Sequence, residues 1–303
     1  MRITPQMQSE ALRSYLVNNA ARGDRLMRQI AAGKQILRPA DAPTRAPQLL
    51  RLQQALSETD GYLKQVAEVK SWLSETDSVL GQIGELLVRV RELVVMAGSS
   101  TQNADGLSSI AEEVKQIEEE LLALANSRLG NRYLFSGGTE AEPFVRDDQG
   151  RVGVDGEFHV MERQIAPDQT LRVNVDGRRL FVGSAAGGED PGLFDLLRQI
   201  HDHLLEGEAG QAKLRIQDLA ALDAVFDRVL KERAQVGAWL QRTERVGEQL
   251  VDLQVRLQQH LAELDGFDLA RSITELRQQE ASYEAALMVT ARLGRLSLLD
   301  WLR

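Results

Sequence analysis

The chain has 303 residues, enough for two domains of ordinary size. Its 36 Lys and Arg against 45 Asp and Glu leave a net charge of −9, a balance that argues against coating nucleic acid. Cysteine is absent, which excludes disulfides, thiolate catalysis and cysteine metal sites. Aromatic residues make up 5%, closer to a helical bundle than to a compact enzyme core.

Proline divides the chain. The seven prolines are Pro5, Pro39, Pro43, Pro47, Pro143, Pro167 and Pro191, so 48–142 and 192–303 are free of them. A proline inside a helix costs about 3 kcal/mol, so these two tracts are where long helices can form. The segment between them carries turn signals and alternating patterns. The expected order is helical, then β-rich, then helical.

The N-terminal stretch opens without the apolar core of a secretory signal. Ile3, Met7, Leu12, Leu16, Leu26, Met27 and Ile30 give it a weak amphipathic period. The first long tract carries a heptad seam through Leu52, Leu56, Thr59, Leu63, Val66, Lys70, Leu73, Thr76, Leu80, Ile83, Leu87, Val90 and Val94. Charged residues such as Glu58, Lys64, Glu75, Arg89 and Arg91 lie between, the pattern of a helix that faces another helix. Gly98 to Asp105 is a break, and Ser109 with Glu112 predicts a capping box at the start of the next helix.

In the middle, Leu171, Val173 and Val175 share one face of an alternating strand, and 157–160 predicts another. Asp147 to Gly150 and Asp176-Gly177 are turn signals. The last tract has a matching seam that includes Leu222, Phe226, Val229, Leu240 and Leu250. Two stripes of equal period, joined by a returning insertion, predict an antiparallel pair. The core of that pair is expected at Leu73, Leu80, Ile83, Leu87 and Val90 on one side. The same five positions named for the last tract face them.

At the C-terminus, Leu293, Leu296, Leu298, Leu299, Trp301 and Leu302 go most of the way round a helix, with Leu287 six residues before them. A helix apolar on all sides is normally buried on several. These residues, with Ile3, Met7 and Leu12, are the expected assembly contacts. The two ends could pair with each other, and they are expected to lack fixed structure in a lone chain and to fold on association.

A search for chemistry finds no active site. His201 and His203 lie two apart, about 200° round a helix, and cannot share a metal. His159 has no evident third ligand. No phosphate loop, nucleophile elbow or H-E-x-x-H motif is present. No run approaches the roughly 18 apolar residues that span a bilayer. No catalytic, metal-binding or cofactor-binding residue is expected, and no nucleic acid, membrane or small-molecule substrate.

Three stretches carry a resemblance. Gln29 to Pro43, with Gly33, Pro39, Asp41 and Pro43, resembles the glycine-lysine-to-proline segment of the flagellin superfamily. Tyr133-Leu134-Phe135-Ser136-Gly137, followed by Pro143-Phe144, resembles a signature of that superfamily's hook–filament junction branch. The C-terminal segment Thr290 to Leu302 is similar to the same branch's helical tail. The chain departs from the pattern at Ala32, Ala40 and Ala42, where small polar or acidic residues are usual, and in its third nearby proline, Pro47.

The resemblance implies a mainly α fold. It is an elongated bundle of long, coiled-coil-like helices from the two terminal segments, with a small β-rich central insertion. It divides the chain into terminal helices (1–40 and 270–303), a long-helix rod (41–138 and 192–269) and a β-rich outer part (139–191). It implies a structural subunit of the bacterial flagellum, not an enzyme. Such a subunit joins hook to filament in a short helical zone of its own copies, between the first hook-associated protein and flagellin. It is exported without a cleaved signal, with a flagellar export chaperone on its C-terminal region, and ends outside the cell. The alternative is a flagellin-type filament subunit; against it, the chain lacks that subunit's usual N-terminal start and Gln-rich tail.

Overall fold

The computed structural model describes residues 5–99, 103–137, 142–147, 150–154, 158–183 and 192–301; at 5, 6, 8, 9, 208 and 292–301 it describes the backbone without the side chains. The fold is mainly helical. Among the described residues seven α-helices span Pro5–Ala32 (α1), Ala46–Ala97 (α2), Ala104–Ala125 (α3), Leu193–Leu205 (α4), Glu208–Lys213 (α5), Leu219–Asp265 (α6) and Leu269–Trp301 (α7). Contacts divide the chain into two units, Met1–Thr59 with Asp252–Arg303, and Asp60–Val251. Helices α2 and α6 contribute to both.

In the first unit, α1 ends at Gly33, whose φ of 62° suits a residue without Cβ. The Lys34 N–H returns to the Gln29 carbonyl and the Gly33 N–H to that of Ile30, the two bonds of a Schellman stop. A short 3₁₀ turn at Pro39–Asp41 follows. Helix α2 starts at Ala46 with Pro47 in its first turn, where a missing N–H costs nothing. At the other end, Gly266 (φ 60°) closes α6, and the Asp268 carboxylate accepts the Arg271 N–H at 3.0 Å as the cap of α7.

In the second unit, α2 and α6 run antiparallel. Lys70 pairs with Glu244 at 2.8 Å, Asp77 with Arg233 at 3.1 Å and Arg91 with Asp223 at 2.9 Å, ascending on one helix and descending on the other. Leu73, Leu80, Ile83, Leu87 and Val90 are buried, as are Leu222, Val229 and Leu250, while Phe226 and Leu240 are partly buried against the same core. The polar seam positions Thr76 and Thr243 are also buried. Each hydroxyl donates to the carbonyl one turn back, at 2.8 Å, and so takes no unmet donor into the core. Lys70, by contrast, is exposed, and reaches Glu244 at the edge of the seam.

Helix α3 begins at Ala104, capped by Asn103, whose side chain accepts the Gly106 N–H at 3.0 Å. This corrects the capping box expected at Ser109, which lies inside the helix with its hydroxyl on the Asp105 carbonyl. Asn103 wins because it stands at the last extended residue, where its short acceptor reaches the free amides of the first turn. Helix α3 packs against α4, which buries Leu193, Leu196, Leu197, Ile200 and Leu204.

The described residues of the unit also form three antiparallel hairpins: Arg128–Leu129 with Arg132–Tyr133 (β1, β2), Phe144–Arg146 with Val152–Val154 (β3, β4), and Glu162–Ala166 with Gln169–Arg172 (β5, β6). Leu171, Val173 and Val175 all face the core. The strand expected over 157–160 is replaced at 158–160 by an irregular segment; residue 157 lies outside the described residues. Its main chain is held by a side chain rather than a ladder. The fully buried Asn174 donates to the His159 carbonyl at 2.7 Å and accepts the Met161 N–H at 2.9 Å. The turn expected at Asp176-Gly177 opens a π-helical turn over Arg178–Val182.

Candidate assembly surfaces

The loop between α1 and α2 is tied down by carboxylates. Asp41 accepts the N–H groups of Leu37 (3.2 Å) and Arg38 (2.9 Å) on one oxygen and the Arg25 guanidinium (2.8 Å) on the other. Asp265, from the last turn of α6, accepts the N–H of Gln35 at 3.0 Å and of Ile36 at 3.1 Å. Gln29 donates to the Gln35 carbonyl at 2.6 Å. Four consecutive backbone donors, 35 to 38, therefore find carboxylate acceptors. Gly33, Pro39 and Asp41 set the loop's shape, and Pro43 opens a turn into α2, closed by the Arg45 and Ala46 N–H groups on the Ala42 carbonyl at 3.0 and 2.8 Å.

Asp265, Arg25 and Gln29 were not legible as clasp residues in the sequence. The only local sign is an Asp directly before a helix-ending Gly, and nothing in the order of residues says which loop that carboxylate meets 229 positions away. Asp265→Ala should speed amide exchange at Gln35 and Ile36 and leave Leu37 and Arg38 protected. Equal loss at all four would mean that one carboxylate holds the whole loop.

The Asp41 carboxyl is held below the ordinary carboxylate range, first by the Arg38 N–H, then by those of Leu37 and by the Arg25 charge, against some desolvation. Its folded pKa is thus lower than its unfolded one. The stabilisation it gives is complete above the unfolded value of about 3.9 and is lost as pH falls through the folded value. A carbon-13 titration of Asp41 should show a midpoint below about 3.9; a midpoint at or above it would contradict the clasp.

The terminal helices α1 and α7 pair antiparallel. Leu12, Leu16, Asn19, Gly23, Leu26 and Ile30 turn inward from α1, and Leu276, Gln279, Tyr283, Ala286 and Thr290 from α7, both at heptad spacing. At the centre the Gln279 amide donates to the Asn19 carbonyl at 3.0 Å and to its side-chain oxygen at 2.9 Å. Each end supplies the other with a partner, the pairing that their two amphipathic periods allowed. The pairing covers only a narrow stripe. Met7, Tyr15, Val17, Met27, Leu287, Met288 and Val289 remain exposed. Ile3, and the side chains of Leu293, Leu296, Leu298, Leu299, Trp301 and Leu302, lie outside the described residues; the helix itself continues to Trp301.

In the second unit the Tyr133–Gly137 stretch builds a core. Leu134 and Phe135 are fully buried. Phe135 and Phe144 each meet the edge of Phe181, at ring separations of 5.2 and 5.0 Å, and Phe194 stacks on it at 5.9 Å. Asn126 holds Phe144 at two points, donating to its carbonyl at 2.8 Å and accepting its N–H at 3.2 Å. Pro143 leads directly into Phe144, and Tyr133 ends β2 half-buried. Gly137 has φ of 84°, and a Cβ there would come within 2.2 Å of the His159 carbonyl oxygen, so only glycine fits.

Titratable groups are used as supports. His203 Nδ1 lies 2.6 Å from the buried Asp218, which also accepts from Gln199 at 3.2 Å; His201 points to Asp202 instead. Burial pushes the Glu118 carboxyl up, against the pull of Arg146, which it meets at 3.0 Å; burial also raises Glu232. Among the described residues no group of three or more His, Asp or Glu could hold a metal, and no helix is long and apolar enough to cross a membrane.

Residues 3–139 match the bacterial flagellin N-terminal helical region, and residues 219–302 match the bacterial flagellin C-terminal helical region. The chain belongs to the flagellin family. The matched regions take in α1 to α3, the clasped loop and the Tyr133–Gly137 stretch on one side and α6 and α7 on the other. Hairpins β3–β4 and β5–β6, with α4, lie between them. Two relatives align along 98% of this chain and 98% of their own length: flagellar hook-associated protein 3 of Salmonella typhimurium, at 28% identity, and that of Escherichia coli, at 25%. The solved structure of a putative flagellar hook-associated protein from Vibrio parahaemolyticus superposes on 75% of this chain and all of its own, with a TM-score of 0.67 and 18% identity, and so shares the fold. This flagellin-family chain is a structural component of the flagellum and not an enzyme.

Proposed function

We propose that the chain is the subunit that joins hook to filament, assembling as a short zone of its own copies between the first hook-associated protein and flagellin. The observation that carries this is full-length similarity to hook-associated protein 3 from two bacteria, through both terminal helical regions and the segment between. The exposed apolar residues of the α1–α7 pair support assembly through the ends, because a lone pair leaves Met7, Tyr15, Val17 and Leu287 in water.

In this reading the terminal helices at 1–40 and 270–303 form the inner tube. The long helices at 41–138 and 192–269 surround it, and 139–191 faces outward. The chain leaves the cell by flagellar export without a cleaved signal, its C-terminal region carried by a chaperone. Deleting the gene should leave intact hooks while full-length flagellin is secreted unassembled into the medium. Filaments of normal length in the deletion strain would refute the junction role. Loss of the filament's bulk protein would instead mean that the chain is the flagellin-type subunit.

A further inference from the structure

We propose that a cleft over Trp72 in the second unit receives the acidic face of α3 from a second copy of this chain. This rests on the reading of the chain as a self-assembling flagellar subunit. The cleft has a volume of about 280 Å³ and lies where α2 meets β1 and β5. Its floor is apolar, made by Val69, Leu129, Met161 and Val173 around the Trp72 ring. Trp72 is only 8% exposed, and its indole N–H has no hydrogen-bond partner among the described residues. A large, nearly buried ring at the floor of an open cleft gives an aliphatic stem a surface to pack on.

The rim points the same way. Arg132 and Arg163 are exposed and line the cleft, and among the described residues neither pairs with a carboxylate. Elsewhere in this unit Arg89, Arg91, Arg146, Arg151, Arg198 and Arg233 each have a carboxylate partner. Glu68 and Ser71 complete the rim, so it carries two cations and one anion. Donors exceed acceptors around an apolar floor. The fitting occupant is a carboxylate on an aliphatic stem.

The chain supplies that chemistry itself. Helix α3 presents Glu112, Gln116, Glu119 and Glu120 within about 100° of its circumference, all exposed, with Lys115 at one flank. None of the three glutamates pairs with a cation among the described residues, whereas Glu113 is taken by Arg89 and Glu118 by Arg146. Cleft and acidic face are different patches of one unit. A contact between them is heterologous, and a heterologous contact repeated from copy to copy builds a ring or a helix rather than a closed dimer. That is the geometry a self-assembling zone requires.

The absence of cysteine makes the test direct. In a Ser71→Cys, Gln116→Cys double variant, purified hook–filament structures exposed to a mild oxidant should yield a ladder of covalently joined copies, and either single variant should not. A chain present at the junction with no ladder would overturn this contact and leave the junction reading intact. Absence of the unmodified chain from such structures would overturn both. A second pair of variants covers failure of the cysteine chain to assemble. R132E with R163E should reduce swimming at least about tenfold with an unchanged thermal midpoint, since both sites are exposed. Adding E119R with E120R to that chain should restore it. Normal swimming of R132E/R163E, or no rescue by the reciprocal charges, would also overturn the proposal.

Discussion

Phe181→Ala should destabilise the second unit by about 3–5 kcal/mol, the largest single-site loss expected anywhere in the chain. Phe181 has no solvent exposure and is the common neighbour of Phe135, Phe144 and Phe194. Removing the ring opens a cavity whose walls are held in place. Phe144 is fixed through its main chain by Asn126, and Phe135 is followed by Gly137, whose close approach to His159 leaves no room for movement. A site that cannot collapse keeps the full cavity penalty. Chemical denaturation of the purified chain, followed by circular dichroism, reads the change. A loss below about 1 kcal/mol would mean that the ring cluster relaxes freely and does not organise this unit.

Leu80→Ala or Leu87→Ala should each cost about 2–5 kcal/mol. Both side chains are buried in the α2 seam facing α6, within a continuous core that includes Leu73, Ile83 and Val90 on the same helix. Glu75 lies on the same stretch of α2 but is exposed. Glu75→Ala is expected to shift stability by no more than about 0.5 kcal/mol. Equal losses at all three positions would mean that the seam does not face a partner helix.

The long helices were legible because their signal is repeated many times. Ten apolar seam positions in heptad spacing outweigh Thr59, Lys70 and Thr76, and two of those three are explained by hydroxyls that bond to their own helix. The Asp147–Gly150 turn was legible for a local reason. The Gly150 N–H reaches the Asp147 carbonyl at 2.9 Å, and Gly150 sits at φ 77°. What the sequence hid was contact at a distance. Asn174 and Asn126 each replace a strand ladder with one amide, a role fixed only once the chain has folded around them. Asp265 is of the same kind.

The terminal pair was only faintly legible, for an opposite reason. Its inward stripe is thin: Leu12, Leu16, Leu26 and Ile30 gave the period, but Asn19, Gly23, Gln279 and Thr290 interrupt it. The apolar residues that stood out at Met7 and Leu287 are the ones left exposed. For the candidate surfaces, the family stretches announced the Gly33–Pro43 loop and the Tyr133–Gly137 core as units. They did not show that the first is a clasp closed by α6 or that the second centres on Phe181.

The claim that this flagellin-family chain joins hook to filament is tested most directly by where it lies. Immunogold labelling of intact flagella with antibody to this chain should place the gold in a short band at the boundary between hook and filament, with none along the filament. Gold distributed along the whole filament, or confined to the cell, would contradict the account.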